Sequence, residues 1–535
     1  MNATPYATAR AATTLSALGV LSPLAGVAVE ITLAWRFGAS STVDAFRIGA
    51  LLLVFGQQLF VIQILPHAVI PVFAEYRAQR QEKEAWQVAL ALGNLLLVPT
   101  LLASLLVFVH PEPVVRLLAP GLTGEAKATA ALFIRFFFPA CATLVWSGVA
   151  AGILYAHKVF WLPAAAQFVG NLVLIAAILG LGRILGPISL VVGVLLSAVL
   201  AAALYAVKLA ALMRRAGVRF AWKLGIRHPG VRKTLRLVLP LLGTILLSQW
   251  VAIVVNRTLS ALPPGNLALF GYAWKLGQLA SLIPITLATV MFPRLADARF
   301  SSTGEEFRHL CTRALRMALF LTIPLTCLLY VLRHALVTLA FERGAFSADA
   351  SQAVAGLFGL LLLGAPAYAA VVNMEKMFYA GQRMRLPMYA QMGSAVAVTV
   401  LSRWAANRLG ADGLMLLVGT LLVWLMAGFL LATLFLRYEA IALKEVATFA
   451  AHIFLLALAS AWVASHVSRI GGRTVGSGIR SAGFATASAV AAGALVFFSA
   501  AIILRVPEAI EWRNYLRWQG SATAKRLQEF VLGRT

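Results

Sequence analysis

The sequence predicts an all-α integral membrane protein with about fourteen transmembrane helices, arranged as two six-helix lobes plus two C-terminal helices. Composition, recurring apolar runs and an internal repeat support this prediction. Hydrophobic residues make up 61% of the 535 positions, charged residues make up 12%, and the mean hydropathy is +0.87. A soluble globular chain is nearer half apolar and a quarter charged. Most of this chain must therefore face lipid or other apolar helices.

Apolar runs recur along the chain with only short polar gaps between them. A helix needs roughly 20 mostly apolar residues to cross a bilayer. By that rule the predicted spans are 12–35, 46–72, 88–109, 131–154, 160–181, 187–211, 236–258, 267–292, 314–337, 353–379, 387–406, 413–436, 446–467 and 482–504. The first run is longer than a signal peptide and contains Glu30, so it is interpreted as a transmembrane helix.

Basic residues determine the predicted orientation. The net charge is +26, and basic residues of membrane proteins accumulate in cytoplasmic loops. With the N-terminus inside, the cytoplasmic loops and both termini hold about 28 Lys and Arg, against about 13 in the outer loops. Both termini are therefore predicted to be cytoplasmic. The positive charge is attributed to this asymmetry and not to a nucleic-acid partner.

An internal repeat relates the two halves of the chain. Segment 154–167 recurs as 378–391, where Tyr, Ala, Leu, Pro, Ala and Gln coincide without a gap, and segment 71–77 is echoed by 293–299. The two offsets are about 224 and about 222 residues, nearly the same, which is typical of a duplicated unit. The repeat covers six helices, an even number, so both copies enter the membrane from the same side.

This repeat predicts five regions of the chain. They are an N-terminal six-helix lobe (1–212), a basic cytoplasmic linker (213–235), a C-terminal six-helix lobe (236–440), two extra transmembrane helices (441–504) and a basic cytoplasmic tail (505–535). Two lobes related by an axis along the membrane normal suit alternating access, with the substrate site between them.

Charged side chains inside the spans are the first candidates for a functional role, because their burial in a membrane is costly. Lys275 lies inside the eighth span with Gln278 on its own helical face, and we expect both in a water-filled cavity between the lobes. Asp44 and Arg47 lie where the first two spans meet, and Arg257 lies at the end of the seventh. For the arginines, snorkelling to the membrane interface is the alternative.

Polar amides and two further acids complete the candidate set. Gln57 and Gln58 make the second span polar, and either ligand contact or hydrogen bonding between helices explains them. Glu30 and Glu375 are candidates for coupling transport to an ion. The three cysteines are scattered, and neither a catalytic pair nor a metal-ligand spacing is convincing. We therefore expect no cofactor, no metal and no enzymatic activity.

Short motifs add a family resemblance. They are RFGASSTVDAF at 36–46, PVFAEY at 71–76, LAPG at 118–121, FERGAFS at 341–347, and FYA at 378–380 followed by Pro387. In kind and order, over roughly residues 12–440, they resemble the MurJ/MviN lipid II flippases of the multidrug/oligosaccharidyl-lipid/polysaccharide exporter superfamily. The resemblance implies the same fourteen-helix fold with two six-helix lobes.

The resemblance also implies a function. Such a flippase moves a polyprenyl-pyrophosphate-linked saccharide from the cytoplasmic to the outer leaflet of the bacterial inner membrane. A cationic cavity between the lobes takes the pyrophosphate and sugar, and a groove at the last two helices takes the lipid tail. The implied partners are this lipid-linked oligosaccharide, membrane lipids and cell-envelope synthesis proteins.

The cavity residues depart from the family pattern. Ungapped alignment puts the family's first-span arginines on Pro23 and Val29, and its second-span arginines on Gln57 and Gln58. The cation of the eighth span is kept as Lys275, which supplies a point charge without the guanidinium fork.

Two explanations of the missing arginines are open. Either the chain is a diverged member that moves another lipid-linked glycan, such as an exopolysaccharide precursor, or Arg47, Arg135 and Arg257 supply the missing charge. Divergence is favoured.

Two other functions are open at this point. The chain is alternatively a cation-coupled small-molecule or drug antiporter of the same superfamily, which would need Glu30, Asp44 or Glu375 as coupling acids. The third hypothesis is a non-transporting scaffold of a polysaccharide synthesis complex, which would act through the tail after Arg505.

Overall fold

The computed structural model describes residues 5–301, 304–474 and 479–514, and most of the predicted basic tail (515–535) lies outside this part of the chain. The regular elements in the described residues are all helical, which confirms the predicted fold class. In chain order they are α1 (Pro5–Phe37), α2 (Ser41–Gly56), a π-helical segment (Gln57–Ile64), α3 (Leu65–Ala78), α4 (Glu82–Val109), α5 (Glu112–Leu118), α6 (Gly124–Ala156), α7 (Trp161–Leu185), α8 (Ile188–Ala216), α9 (Pro229–Leu259), α10 (Asn266–Ser301), α11 (Gly304–Phe341), α12 (Ala348–Ala380), α13 (Arg385–Met415), a second π-helical segment (Leu416–Leu421), α14 (Leu422–Leu436), α15 (Leu443–Thr474) and α16 (Ile479–Ile503).

The described helices include eleven segments that are long and apolar enough to cross a membrane. One of them, Arg385–Leu436, has 52 residues, whereas a crossing needs roughly 20. Its helix is interrupted at Gly410, between the eleventh and twelfth predicted spans. The first and seventh predicted spans lie within α1 and α9, outside the eleven. The count of fourteen therefore stays a prediction.

The repeat is visible in the backbone at the ends of α6 and α12. Lys158 has φ 61° and Gln382 has φ 57°, at equivalent positions of the two repeat segments. In each copy the next amide donates a hydrogen bond of 2.8 Å to a carbonyl inside the helix, that of Leu154 in the first copy and of Phe378 in the second. This hydrogen bond is typical of a helix end at which one residue has a left-handed backbone conformation. The two copies therefore share a turn, although different residues occupy its tip.

A second repeated feature is a glycine with an unusual backbone conformation. Gly186 has φ 53° and ψ −130°, and Gly410 has φ 62° and ψ −141°. The two positions have the same offset, about 224 residues, as the repeat segments. Side chains are excluded from this conformation, which is essentially restricted to glycine. Gly186 separates α7 from α8, and Gly410 breaks the long helical segment in the same way.

The second predicted span is not a regular helix. The chain changes from α2 to the π-helical segment at Gln57 and returns to an α-helix at Leu65. Pro66 directly follows, and proline lacks the N–H that would bond to the carbonyl one turn earlier. Single π-helical turns arise where this ladder is disturbed, and they occur often at functional sites.

The chain forms two compact units, each built from separate stretches. The first comprises Met1–Leu276, Phe341–Leu357 and Gln391–Leu417, and the second comprises Gly277–Ala340, Phe358–Ala390 and Val418–Thr535. In the first unit α3, α4, α6, α7 and α8 enclose a core that includes the fully buried Trp86. In the second unit, one core around Phe378 joins α10, α11, α12 and α14, and another around Phe320 joins α11, α15 and α16. The lobe and linker boundaries drawn from the sequence stay predictions.

Candidate functional site

Asp44 caps the N-terminus of α10 in the first unit. Its side chain is almost fully buried, and its two carboxylate oxygens accept the backbone N–H groups of Gly265 at 2.5 Å and Ala268 at 2.8 Å. Amides of a first helical turn have no partner within the helix, and the partial positive charge there favours a carboxylate. Asp44 therefore fixes the start of α10 to α2.

Arg47 lies one turn further along α2 and pairs with Glu30 of α1. The distance between Arg47 Nη2 and Glu30 Oε2 is 2.7 Å, and the two side chains are 16% and 14% exposed. The guanidinium also lies over the ring of Tyr272, 4.8 Å from its centroid. The Tyr272 hydroxyl donates to the Gly38 carbonyl at 2.9 Å. Two candidate charges are thus neutralised by each other, within the protein.

Close backbone approaches complete this junction of α1, α2 and α10. A Cβ on Gly271 would collide with the guanidinium of Arg47. The loop before α12 joins the junction through the amide of Ala345, which donates to the Trp35 carbonyl at 2.9 Å. The junction consists of Glu30, Asp44, Arg47 and Tyr272 together with Gly38, Gly265 and Gly271, and it is called the α10 junction below.

Lys275 lies one turn beyond Tyr272 on α10, and its surroundings differ from those of the junction. Its Nζ is 3.3 Å from the point where a Cβ on Gly26 would lie, and Asn171 Nδ2 is 3.8 Å from the same point. The ammonium and the Asn171 amide therefore both lie over Gly26 of α1, and the amide donates a hydrogen bond to the Ser22 carbonyl at 3.2 Å. It forms no ion pair with any carboxylate in the described residues.

A cavity of about 680 Å³ lies within the first unit, and Gln57 lines it. Its walls come from α2 with the π-helical segment, α6, α7 and α8, and they include Asn171, the neighbour of Lys275. Gln58, the next residue of the π-helical segment, is half-buried and is not among the lining residues.

The remaining sequence candidates lie elsewhere. Arg257 donates to the carbonyl of Leu117 at the end of α5. Gln278 is exposed on α10, and Glu375 is half-buried on α12, both in the second unit. The roles proposed for these residues stay predictions. The part of the chain that the structure describes contains no group of three or more His, Cys, Asp or Glu arranged to hold a metal ion.

Sequence reasoning did not select several polar residues of the cavity wall. They are Ser147, Tyr155, Gln167, Asn171, Ser197 and Tyr205. A signal was present in three of them, because Tyr155 and Gln167 belong to the repeated segment and Asn171 follows Gln167 four residues later. Residues spaced by four share one helical face.

Comparison with known proteins identifies the family. The family model described as "Lipid II flippase MurJ" matches residues 33–475. The probable lipid II flippase MurJ of Rhizobium meliloti (strain 1021) is 30% identical over 387 residues, which cover 71% of each chain. The lipid II flippase MurJ of Burkholderia cenocepacia is 27% identical over 421 residues, which cover 77% of this chain and 80% of that protein.

Solved structures share the fold. A lipid II flippase MurJ in an inward closed conformation superimposes with a TM-score of 0.75 at 19% identity, covering 92% of this chain and 98% of that one. An inward-facing multidrug resistance transporter of the MATE family superimposes with a TM-score of 0.64 at 16% identity, covering 80% of this chain and 98% of that one. The resemblance first seen in the short motifs is therefore confirmed. The chain is a multi-pass membrane protein and belongs to the lipid II flippase MurJ family.

Proposed function

We propose that this protein is a flippase that moves a polyprenyl-pyrophosphate-linked saccharide across the bacterial inner membrane by alternating access. The cargo is lipid II or a related cell-envelope or exopolysaccharide precursor. The protein is a transporter and not an enzyme, in keeping with relatives that are named as flippases. Both termini face the cytoplasm.

The unpaired ammonium of Lys275 is the observation that carries this proposal. A cation inside a membrane span is costly unless it faces water or a partner, and no carboxylate of the described chain pairs with Lys275. Its Nζ and the amide of Asn171 both lie over Gly26, and Asn171 also lines the cavity. An anionic pyrophosphate would compensate this charge through charge-assisted hydrogen bonds. Lys275 therefore binds the pyrophosphate.

Two of the three cations named as replacements for the family's arginines are engaged by the protein itself. Arg47 is paired with Glu30, and Arg257 is bound to a carbonyl of α5. Neither is available to an anion unless these contacts break. This supports a diverged member that binds its pyrophosphate with fewer cations, over one in which other arginines have taken over the role.

The α10 junction is proposed to hold one end of the transport path closed. By the predicted orientation it lies on the outer side of the membrane. Helix α10 carries both the amides capped by Asp44 and Lys275, the residue proposed to bind the substrate. Both sites act on this helix, so a change at one of them would affect the other.

Vesicles that contain the purified full-length protein and a fluorescent polyprenyl-pyrophosphate disaccharide test the proposal. Wild-type protein should make the inner-leaflet substrate accessible to an external quencher, and Lys275→Gln should abolish most of this transfer. Lys83→Gln is the matched control, because Lys83 is exposed on α4 and makes no ion pair in the described residues. Equal transfer by Lys275→Gln and wild type would contradict the proposal.

A second experiment separates lipid II from other glycans. Cells depleted of their own lipid II flippase should grow if this chain moves lipid II. Growth failure, together with transfer of another lipid-linked glycan in vesicles, would assign the protein to that glycan.

The antiporter alternative receives less support from the structure. Its coupling candidates have interactions within the protein: Glu30 pairs with Arg47, Asp44 accepts hydrogen bonds from two backbone amides, and Glu375 also has an interaction partner. Drug resistance that depends on a sodium or proton gradient would favour the antiporter. The scaffold alternative requires that Lys275→Ala retains function while truncation after Arg505 abolishes it.

A further inference from the structure

The cavity of the first unit has an uncharged lining in which a few polar side chains lie between apolar ones. None of the described residues around it is Asp, Glu, Lys, Arg or His. A pyrophosphate buried there would lack the cationic donors that offset its desolvation. A neutral group suits the cavity better. Lys275 is not among the lining residues, and both its ammonium and the amide of the lining residue Asn171 lie over Gly26.

Four polar side chains of the wall have no hydrogen-bond partner among the described residues. They are the amides of Gln57 and Gln167 and the hydroxyls of Tyr155 and Tyr205. An amide offers one acceptor and two donors, and a phenol offers one of each. Contact with a hydrocarbon chain would leave these groups unsatisfied, which is unfavourable. A ligand rich in hydroxyl and amide groups satisfies them.

The apolar part of the wall suits a sugar ring. Tyr155 and Phe160 both line the cavity and stack on each other, with their ring centroids 5.7 Å apart and their planes inclined by 24°. Binding sites for small molecules combine aromatic and aliphatic walls with a few directed polar groups, and their volumes are roughly 300–1,000 Å³. The cavity of about 680 Å³ falls within that range.

One of the free amides belongs to the second span. Gln57 is the first residue of the π-helical segment. It follows Phe46, Ala50 and Leu53, which line the cavity from α2 at α-helical spacing. Gln57 therefore continues the face that α2 presents to the cavity.

We infer that this cavity is the site of the saccharide of the lipid-linked substrate, with the pyrophosphate held outside it at Lys275. The inference rests on the proposed function and specifies it. It divides the head group between two chemistries, a cation for the phosphates and neutral amides and phenols for the sugar. Selectivity for the glycan then depends on Gln57, Gln167, Tyr155 and Tyr205.

The test compares two ligands on the full-length protein in lipid nanodiscs. One is a polyprenyl-pyrophosphate disaccharide, and the other is the same polyprenyl pyrophosphate without sugar. The double variant Gln57→Leu/Gln167→Leu keeps the side-chain size and removes both amides, neither of which bonds to another described residue. The preference for the sugar-bearing ligand should fall about ten-fold, the expected effect of losing two hydrogen bonds. Gln87→Leu is the control, because Gln87 is exposed on α4, and it should leave the preference unchanged.

A matched pair of variants tests the cavity volume independently of hydrogen bonds. Ala198 lines the cavity, and the adjacent Val199 is 61% exposed. Ala198→Phe should weaken binding of the sugar-bearing ligand at least ten-fold and leave the sugar-free ligand unaffected, and Val199→Phe should change neither.

The outcomes separate this inference from the proposed function. Wild type that binds both ligands, with a preference that the double variant retains, would overturn the saccharide site while the flippase stands. Equal loss of both ligands in Ala198→Phe would mean that the cavity holds the polyprenyl chain, and would also overturn the inference. If wild type binds neither ligand, the proposed function fails and the saccharide site falls with it.

Discussion

Helix α10 carries two polar regions that lie only one turn apart and differ in every contact. At the α10 junction, Asp44 accepts two amides and Arg47 pairs with Glu30 beneath the ring of Tyr272. One turn further, Lys275 has no ionic partner among the described residues and lies beside Asn171. The same rule, that charge in a membrane span is costly, selects both regions. Partnership within the protein distinguishes the charges of the junction from Lys275, the charge proposed to bind the ligand.

The largest expected effect comes from breaking the ion pair of the junction. Glu30→Ala leaves the guanidinium of Arg47 buried without compensation, and should lower the free energy of unfolding by about 3–5 kcal/mol. Denaturant unfolding of the purified protein in detergent measures this. The double variant Glu30→Leu/Arg47→Met should lose much less, because it removes both charges together. A single variant as stable as wild type would show that the pair contributes nothing.

Lys275→Gln should have the opposite profile. We expect affinity for a polyprenyl-pyrophosphate ligand to fall about 10- to 100-fold, the value of a charge-assisted hydrogen bond. The free energy of unfolding should change by no more than about 0.5 kcal/mol, since no ion pair is lost. Titration calorimetry and unfolding on the same preparation give both numbers. A variant that loses stability and keeps its affinity would place Lys275 with the structural charges.

Asp44→Asn should have an intermediate effect on stability. Asparagine keeps one acceptor for the amides at the start of α10 but loses the second acceptor and the charge. The expected loss is about 1–2 kcal/mol of unfolding free energy. Asp349→Asn is the control, because Asp349 is exposed in the first turn of α12, and about 0.5 kcal/mol is expected there. Equal losses at the two positions would argue against a specific cap at Asp44.

The smallest effect is expected for Tyr272→Phe. The ring stays over Arg47, and only the hydrogen bond to the Gly38 carbonyl is lost, which is worth about 1 kcal/mol. Tyr389→Phe, at a position that is 53% exposed, should leave thermal unfolding unchanged. A loss at Tyr272 as large as that of Glu30→Ala would mean that the hydroxyl, and not the ion pair, dominates the junction.

Sequence reasoning located the two regions of α10 but could not divide the roles between their residues. It selected Glu30, Asp44, Arg47 and Lys275 because each is charged and lies in or near a span. It treated Arg47 as a cavity cation and Glu30 as a coupling acid, whereas the two side chains face each other. Glu30 and Arg47 lie 17 residues apart, on two helices joined by a turn. Hydrophobic periodicity does not fix how one helix is rotated relative to the next, so this ion pair could not be predicted.

The cavity of the first unit shows the same limit for neutral groups. The free-energy cost of an amide or a phenol in a membrane span is small, so its presence alone does not mark it as a functional candidate. Gln167 was noticed only as part of the repeat. The role of Gln167 depends on the cavity walls that α2, α6 and α8 contribute. The repeat itself was readable, because residues on both sides of the shared turn, such as Tyr155 and Tyr379, coincide in the two copies.

By itself, the sequence determined the membrane location, the helices, the repeat and the family. These follow from hydropathy, local turn conformations and short motifs, all of which are properties of neighbouring residues. The tertiary structure decided which charges are paired, that Lys275 has no ionic partner in the described residues, and where an uncharged cavity forms. Those properties depend on contacts between helices distant in the chain, whose relative rotation and depth are set by side-chain packing.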